Sequence, residues 1–130
     1  PRGGEQPIKI DLMLDIPAHL SPPSKVGTVW VDSLDDLLAN KMGCLVQRSD
    51  VKDYLDLYYL IPASHLMAKE VIALGRKKEA GLDPLILAHQ MDFVLGKEPP
   101  EPALLGKTDW NELQLFFQKF QKECLELIRP

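Results

Sequence analysis

The chain has 130 residues, 45% of them hydrophobic and 26% charged, a composition that suits one globular domain and excludes a disordered or collagen-like protein. A formal net charge of −4 excludes a general electrostatic attraction to nucleic acid, although it leaves room for a local basic pocket. No apolar stretch approaches the roughly 20 residues of a membrane-spanning helix and no export signal is visible. We therefore expect a cytoplasmic protein without membrane contact.

Two segments near the start are predicted to be β-strands. Residues 8–14 alternate between apolar and polar side chains, which is the pattern of a half-buried strand. Residues 26–31 are mostly β-branched or aromatic, and a proline-containing loop separates the two segments. Because two strands make only a marginal sheet, either more strands precede Pro1 or the helices cover the two strands completely, and we expect the first.

Capping residues divide the rest of the chain into five predicted helices. Ser33, Asp50, Asp83 and Asp109 each precede a helical pattern, and a proline or a glycine marks several of the helix ends. The predicted helices cover, in chain order, residues 34–47, 51–61 (ended by Pro62), 66–80 (ended by Gly81), 84–95 and 110–128, with a proline-rich loop over residues 97–107.

The predicted fold class is therefore α+β, in which the remnant of a small mixed β-sheet of two strands is followed by a bundle of about five helices. The third predicted helix carries a basic sequence, Gly-Arg-Lys-Lys, at residues 75–78. We interpret this sequence as a solvated helix C-terminus, where positive charge is favoured by the helix dipole.

One lysine stands on the apolar face of the first predicted helix. At about 100° per residue, Lys41 falls in the same stripe as Leu34, Leu38 and Leu45, and Arg48 lies on that face two turns later. A lysine in such a stripe extends its ammonium to water, pairs with an acid, or faces a cleft. The periodicity leaves these three interpretations open.

Two aspartates of the second predicted helix are candidate partners for this lysine. Asp53 lies at the edge of the apolar face, and Asp56 follows one turn later. Carboxylates three residues apart on a helix repel each other unless a cation stands between them, and Lys41, Arg48 or a divalent metal would serve. The alternative is a pair of purely structural salt bridges. Asp11, in the middle of the first predicted strand, is on its own an ordinary solvent-facing residue.

A longer pattern contains these residues. Residues 31–60 comprise a strand, a serine-capped acidic turn, an apolar helix with one lysine, an arginine and the motif KDxxDL: VDSLDDLLANKMGCLVQRSDVKDYLDLYYL. The pattern resembles the AbiEii-type nucleotidyltransferase-like toxin family of bacterial abortive-infection and toxin–antitoxin systems, part of the polymerase-β-like nucleotidyltransferase superfamily. The upstream sequence IKIDL resembles the third carboxylate strand of that family.

The resemblance implies a role for each candidate residue. Asp11 would be a metal-binding carboxylate for Mg²⁺, and Lys41 would bind the triphosphate of a nucleotide. Arg48 would assist with phosphate binding or pair with the acids. Asp53 and Asp56 would complete the catalytic group with Lys41, either by positioning the two cations or by acting on the acceptor.

The resemblance also implies the substrates, the partner and the domain organisation. A nucleoside triphosphate would donate a nucleotide to an acceptor such as tRNA or protein, and an antitoxin protein would be the partner. Residues 1–62 would form the C-terminal part of a nucleotidyltransferase-like core, with residues 63–130 as a helical region packed on it.

One feature of the superfamily has no counterpart in the sequence. The superfamily pattern begins with a Gly-Ser or Gly-Gly turn that opens a helix, followed by a D-x-D pair on the next strand, whereas Gly3 and Gly4 lead directly into a predicted strand. Because nucleotidyl transfer depends on carboxylate-held metal ions, we expect these 130 residues not to catalyse on their own. The competing hypothesis is a non-catalytic helical interaction module, in which Lys41 and Asp53 form an interhelical salt bridge.

Overall fold

The computed structural model describes residues 19–48 and 50–129, which form a two-stranded antiparallel hairpin followed by six helices. This architecture confirms the predicted α+β class. The predicted strand over residues 8–14, with Asp11, lies outside the described residues. The elements are β1 (Ser24–Val26), β2 (Val29–Val31), α1 (Leu34–Gln47), α2 (Val51–Ser64), α3 (Ala68–Arg76), α4 (Pro84–Leu95), α5 (Pro102–Leu105) and α6 (Trp110–Leu127).

The prediction of one strand over residues 26–31 is wrong. The segment instead contains the turn of a hairpin, in which Val26 pairs with Val29 and Lys25 pairs with Trp30. Gly27 occupies the first position of the two-residue turn with φ of 63°, a left-handed conformation that a glycine adopts without steric cost. The chain therefore reverses inside a run that is otherwise typical of a single strand.

Two predicted helix ends also differ from the observed ones. α2 continues through Pro62 to Ser64, because a proline in the last turn removes only one backbone hydrogen bond; the helix ends at His65, whose φ is 58°. α3 ends at Arg76 rather than near residue 80. Beyond that end, the Nε of Arg76 donates to the carbonyl oxygen of Leu82 at 2.6 Å, which ties the following turn to the helix.

The helices pack around one hydrophobic core. α4 packs mainly against α6, and α1 packs against both α2 and α3. The largest fully buried side chains include Tyr54 and Leu57 from α2, Leu38 and Met42 from α1, and Phe117 from α6. This packing places α1 beside α2, so that charged side chains from the two helices meet at the surface between them. None of the helices in the described part of the chain is long and apolar enough to cross a membrane.

Candidate functional site

Four charged side chains meet where α1 and α2 lie side by side, and we call them the Lys41 cluster: Lys41, Arg48, Asp53 and Asp56. The Lys41 ammonium donates to Asp53 Oδ1 at 3.2 Å and lies 2.7 Å from Asp56 Oδ2. Arg48 donates two hydrogen bonds to the same buried carboxylate, from Nε to Asp53 Oδ2 at 3.2 Å and from Nη2 to Asp53 Oδ1 at 3.3 Å. The structure thus brings together all four residues that the sequence pattern places on the facing sides of the two helices.

The local sequence explains how these side chains meet. Arg48 is the residue that follows α1, and Asp50 caps α2 by accepting a hydrogen bond from the backbone N–H of Lys52 at 3.0 Å. The chain therefore passes from one helix to the next within a few residues. Asp53, in the first turn of α2, comes within reach of both Arg48 and Lys41.

The two acids differ in how far their side chains are exposed to solvent. The Asp53 side chain has no exposed surface, whereas the Asp56 side chain is 50% exposed. A buried carboxylate is costly unless cations and hydrogen bonds compensate for its lost hydration, and Lys41 together with the Arg48 fork supplies both. Asp53 is therefore fully committed to holding the two cations, while Asp56 contacts Lys41 and still faces solvent.

The ammonium of Lys41 stays charged in this setting. Burial on its own lowers the pKa of Lys41, because it disfavours the charged form. The hydrogen bonds and negative charges of Asp56 and Asp53 outweigh that effect and raise the pKa above its ordinary value of 10.5. Lys41 therefore carries its positive charge at neutral pH.

An open groove of about 310 Å³ runs beside the Lys41 cluster. Lys41 and Asp56 provide its charged groups, and the side chains of Leu37, Tyr59 and Leu60 provide the rest of the lining. The groove is therefore largely apolar, with one ammonium and one carboxylate at its surface. A ligand that combines an apolar part with an anionic part would match this lining.

The chain matches one family of known proteins over nearly its whole length. The family described as nucleotidyl transferase AbiEii toxin, type IV toxin–antitoxin system, matches residues 2–126. The chain belongs to the AbiEii family. No curated protein and no solved structure was found to match it. Membership confirms the predicted resemblance, and the Lys41 cluster lies within the matched part of this AbiEii chain.

The AbiEii chain has a second buried charge, which the sequence pattern does not indicate. Asp36, in the first turn of α1, is fully buried and lies 2.6 Å from the Nζ of Lys78. Its carboxylate also accepts hydrogen bonds from the backbone N–H groups of Leu20 at 2.9 Å and Ser21 at 3.2 Å, and from the Ser33 hydroxyl at 2.8 Å. Asp36 therefore ties α1 to the segment that precedes the hairpin and to the end of α3.

The interpretation of Lys78 as part of a solvated helix end is accordingly wrong. Its ammonium pairs with Asp36 and also donates to Asn40 Oδ1 at 3.1 Å, which places it against α1. The sequence carries only half of the signal: the Ser33–Asp36 spacing marks a helix start. Nothing local indicates that the acid reaches a lysine of another helix.

Asp36 makes the stability of this AbiEii chain sensitive to acid. Burial alone raises the pKa of Asp36, but the hydrogen bonds from Lys78, Leu20, Ser33 and Ser21 lower it well below its ordinary value of 3.8. The unfolded chain therefore binds a proton at this site at a higher pH than the folded chain does. The stabilisation by Asp36 is complete above about pH 4 and is lost as the pH falls through the lowered pKa.

We therefore expect the melting temperature to fall progressively below about pH 4, and to fall less steeply in Asp36→Asn than in the unsubstituted chain. The asparagine keeps the shape of the side chain but has no proton to gain. Thermal melts at several pH values between about 2 and 7 measure both slopes. Equal slopes for the two proteins would contradict the assignment to Asp36.

The part of this AbiEii chain that the structure describes does not fit a resident metal ion. No group of three or more His, Cys, Asp or Glu side chains is placed to hold one among residues 19–48 and 50–129. Of the two acids in the Lys41 cluster, Asp53 is shared by both cations and Asp56 contacts Lys41. The predicted metal ligand, Asp11, lies outside the described residues, so its role stays a prediction.

Proposed function

We propose that this chain binds the phosphates of a nucleoside triphosphate in a toxin that transfers a nucleotide to an acceptor such as tRNA or protein. The observation that carries the proposal is the Lys41 ammonium, which stands between Asp53 and Asp56 at 3.2 and 2.7 Å and lines an open groove. An ammonium has three N–H donors, and these two acids use two of them. We assign the third to a phosphate oxygen.

Arg48 supports the same proposal. Its side chain is 61% exposed, although Nε and Nη2 of the guanidinium both contact Asp53. A guanidinium held in one orientation by a buried carboxylate is suited to recognise phosphate, because little conformational freedom is lost on binding. Lys41 and Arg48 together would offer two positive charges along one edge of the junction between α1 and α2.

The two acids would then have different tasks. Asp53 is buried and occupied by both cations, so we assign it the positioning of Lys41 and Arg48. Asp56 is half exposed and close to Lys41, so it is the carboxylate that would reach the attacking hydroxyl of an acceptor. In this scheme Asp56 contacts the reacting group and Asp53 acts through its neighbours.

The proposal includes the Mg²⁺ that the family resemblance implies, although the described residues offer no group of three or more side chains to hold it. Such an ion would neutralise charge on the triphosphate. In the described part of the chain, Lys41 is the cation that lines the groove, and Arg48 contacts Asp53 beside it. An NTP substrate and an antitoxin partner follow from a family that is described as type IV toxin–antitoxin; the identity of the acceptor is part of the proposal.

A second candidate function is an interaction module in which the cluster is purely structural. The observation in its favour is that two cations and two acids satisfy one another within 3.3 Å. Neutral, mutually paired clusters of this kind also occur between helices with no ligand. The effect of replacing Lys41 on activity and stability separates the two candidates.

The proposed function is tested by supplying the full-length gene product with Mg²⁺, one labelled nucleoside triphosphate at a time, and bulk tRNA or bulk protein. We expect one acceptor class to become labelled. An absence of label with every triphosphate and both acceptors would contradict the proposal.

The 130 residues alone are expected to be silent in the same assay. Their sequence lacks the glycine turn and the D-x-D pair, and one carboxylate of the expected three would hold metal poorly. Labelled acceptor is counted after incubation with each triphosphate, and a reaction without protein sets the background. Transfer well above background by the 130 residues would show that other acids than the predicted ones hold the metal.

A further inference from the structure

Tyr59 is an exposed aromatic residue that is nevertheless held rigidly. Tyr59 is 57% exposed. Its hydroxyl nevertheless lies 2.6 Å from the Oγ1 of Thr108, a residue that is only 9% exposed. Its ring also meets the ring of Tyr58 edge to face, with centroids 5.2 Å apart, and Tyr58 packs in the same manner on Phe116 at 5.5 Å. The core thus fixes the position of a ring whose surface is open to solvent.

The position of Tyr59 relates it to the Lys41 cluster. It follows Asp56 by three residues in α2, so the two side chains share one face of the helix. With Leu37 and Leu60 it forms the apolar part of the groove that Lys41 also lines. The volume of about 310 Å³ lies at the lower end of the range, about 300–1,000 Å³, that is typical of small-molecule sites.

We propose that this groove holds the base of the donor nucleoside triphosphate, stacked on the ring of Tyr59, with its phosphates directed to Lys41. The inference rests on the proposed function and deepens it. A nucleotide combines a planar aromatic group with an anionic chain, and the groove combines an aromatic ring with an ammonium. The Tyr59 hydroxyl is engaged by Thr108, so its ring is the surface it offers. Stacking on an aromatic side chain needs no further hydrogen bond.

The role of Tyr59 is tested by comparing a nucleotide with a base-free anion. The dissociation constants of the full-length protein for a nucleoside triphosphate and for inorganic tripolyphosphate are measured by calorimetry. We expect Tyr59→Ala and Tyr59→Leu to weaken nucleotide binding about tenfold or more, the scale on which one base–aromatic stack acts. Tripolyphosphate binding should stay the same, because the phosphate contacts are intact.

Two further variants make the comparison specific. Tyr59→Phe keeps the ring and should restore most of the nucleotide affinity that Tyr59→Ala loses. Leu115→Ala, which truncates a 63% exposed leucine on α6, is the control for loss of exposed apolar surface and should change neither affinity. Tyr59→Leu keeps an apolar side chain at the position, so the test stands even where alanine impairs folding.

The outcomes distinguish this inference from the function on which it rests. If nucleotide and tripolyphosphate both bind, and Tyr59→Ala and Tyr59→Leu weaken neither, the stacking role is overturned while the phosphate site stands. If neither ligand binds the unsubstituted protein, the proposed function fails and the inference fails with it. If the Tyr59 variants raise KM for the acceptor and leave KM for the triphosphate unchanged, the groove holds a base of the acceptor and our assignment to the donor is wrong.

Discussion

Lys41→Met is expected to lower nucleotide transfer by the full-length protein about 100-fold while changing its melting temperature little. The loss of activity is the scale on which a single electrostatic contact to a reacting group acts. Stability should change by less than about 1.5 kcal/mol, because methionine keeps most of the side-chain volume beside the apolar residues of the groove, Leu37 and Leu60. Asp53 also keeps its two bonds from Arg48, so its buried charge is not left without a partner.

The interaction-module hypothesis predicts a different result for the same substitution. If Lys41 serves only to hold α1 against α2, its loss removes contacts to two acids, and one of them is fully buried. Breaking a buried pair costs up to about 3–5 kcal/mol, less whatever Arg48 compensates. Any activity would then fall only as far as unfolded protein accumulates.

Thermal melts and single-turnover transfer on one preparation decide between the two hypotheses. The matched control is Lys69→Met, which replaces an exposed lysine of α3 and should leave both measurements near those of the unsubstituted protein. A large loss of stability, with the activity per folded molecule intact, would defeat the assignment of Lys41 to phosphate.

The parts of the fold that the sequence predicts are those fixed by short-range signals. Ser33, Asp83 and Asp109 each accept a backbone N–H three residues later, and the three helices that they cap have the predicted starts. Lys41 and Asp53 were also predictable as neighbours, since helical periodicity sets their faces and a short connection sets their distance. Helix caps, helical periodicity and short connections between helices all depend on residues that lie close together in the sequence.

The rest depends on contacts that no local pattern encodes. The groove acquires its fixed ring partly because Tyr59 contacts Thr108, a residue 49 positions later in the sequence. Asp36 meets Lys78 only because α3 packs on α1. The hairpin was missed for another reason, since the turn at Gly27 consists of two residues within a β-branched run. The predicted division of the chain into a nucleotidyltransferase-like core, residues 1–62, and a helical region, residues 63–130, stays a prediction.

Asp36→Ala is expected to be the most destabilising single substitution among those considered. It removes one member of a buried ion pair and leaves the Lys78 ammonium and the backbone N–H groups of Leu20 and Ser21 without their acceptor. Such a change costs about 3–5 kcal/mol. For a chain of this size the melting temperature should fall by about 10 °C or more.

Asp35→Ala is the matched control, because Asp35 lies in the same first turn of α1 and has the same favourable position relative to the helix dipole. Its loss should cost no more than about 1 kcal/mol. Repeating Asp36→Ala in a Lys78→Met background isolates the pair. The acid should then matter less, since no ammonium is left unpaired, and the difference between the two costs measures the coupling. A cost for Asp36→Ala that is the same in both backgrounds would mean that Asp36 acts through the backbone of Leu20 and Ser21 alone. Lys78 would then be a bystander at the end of α3.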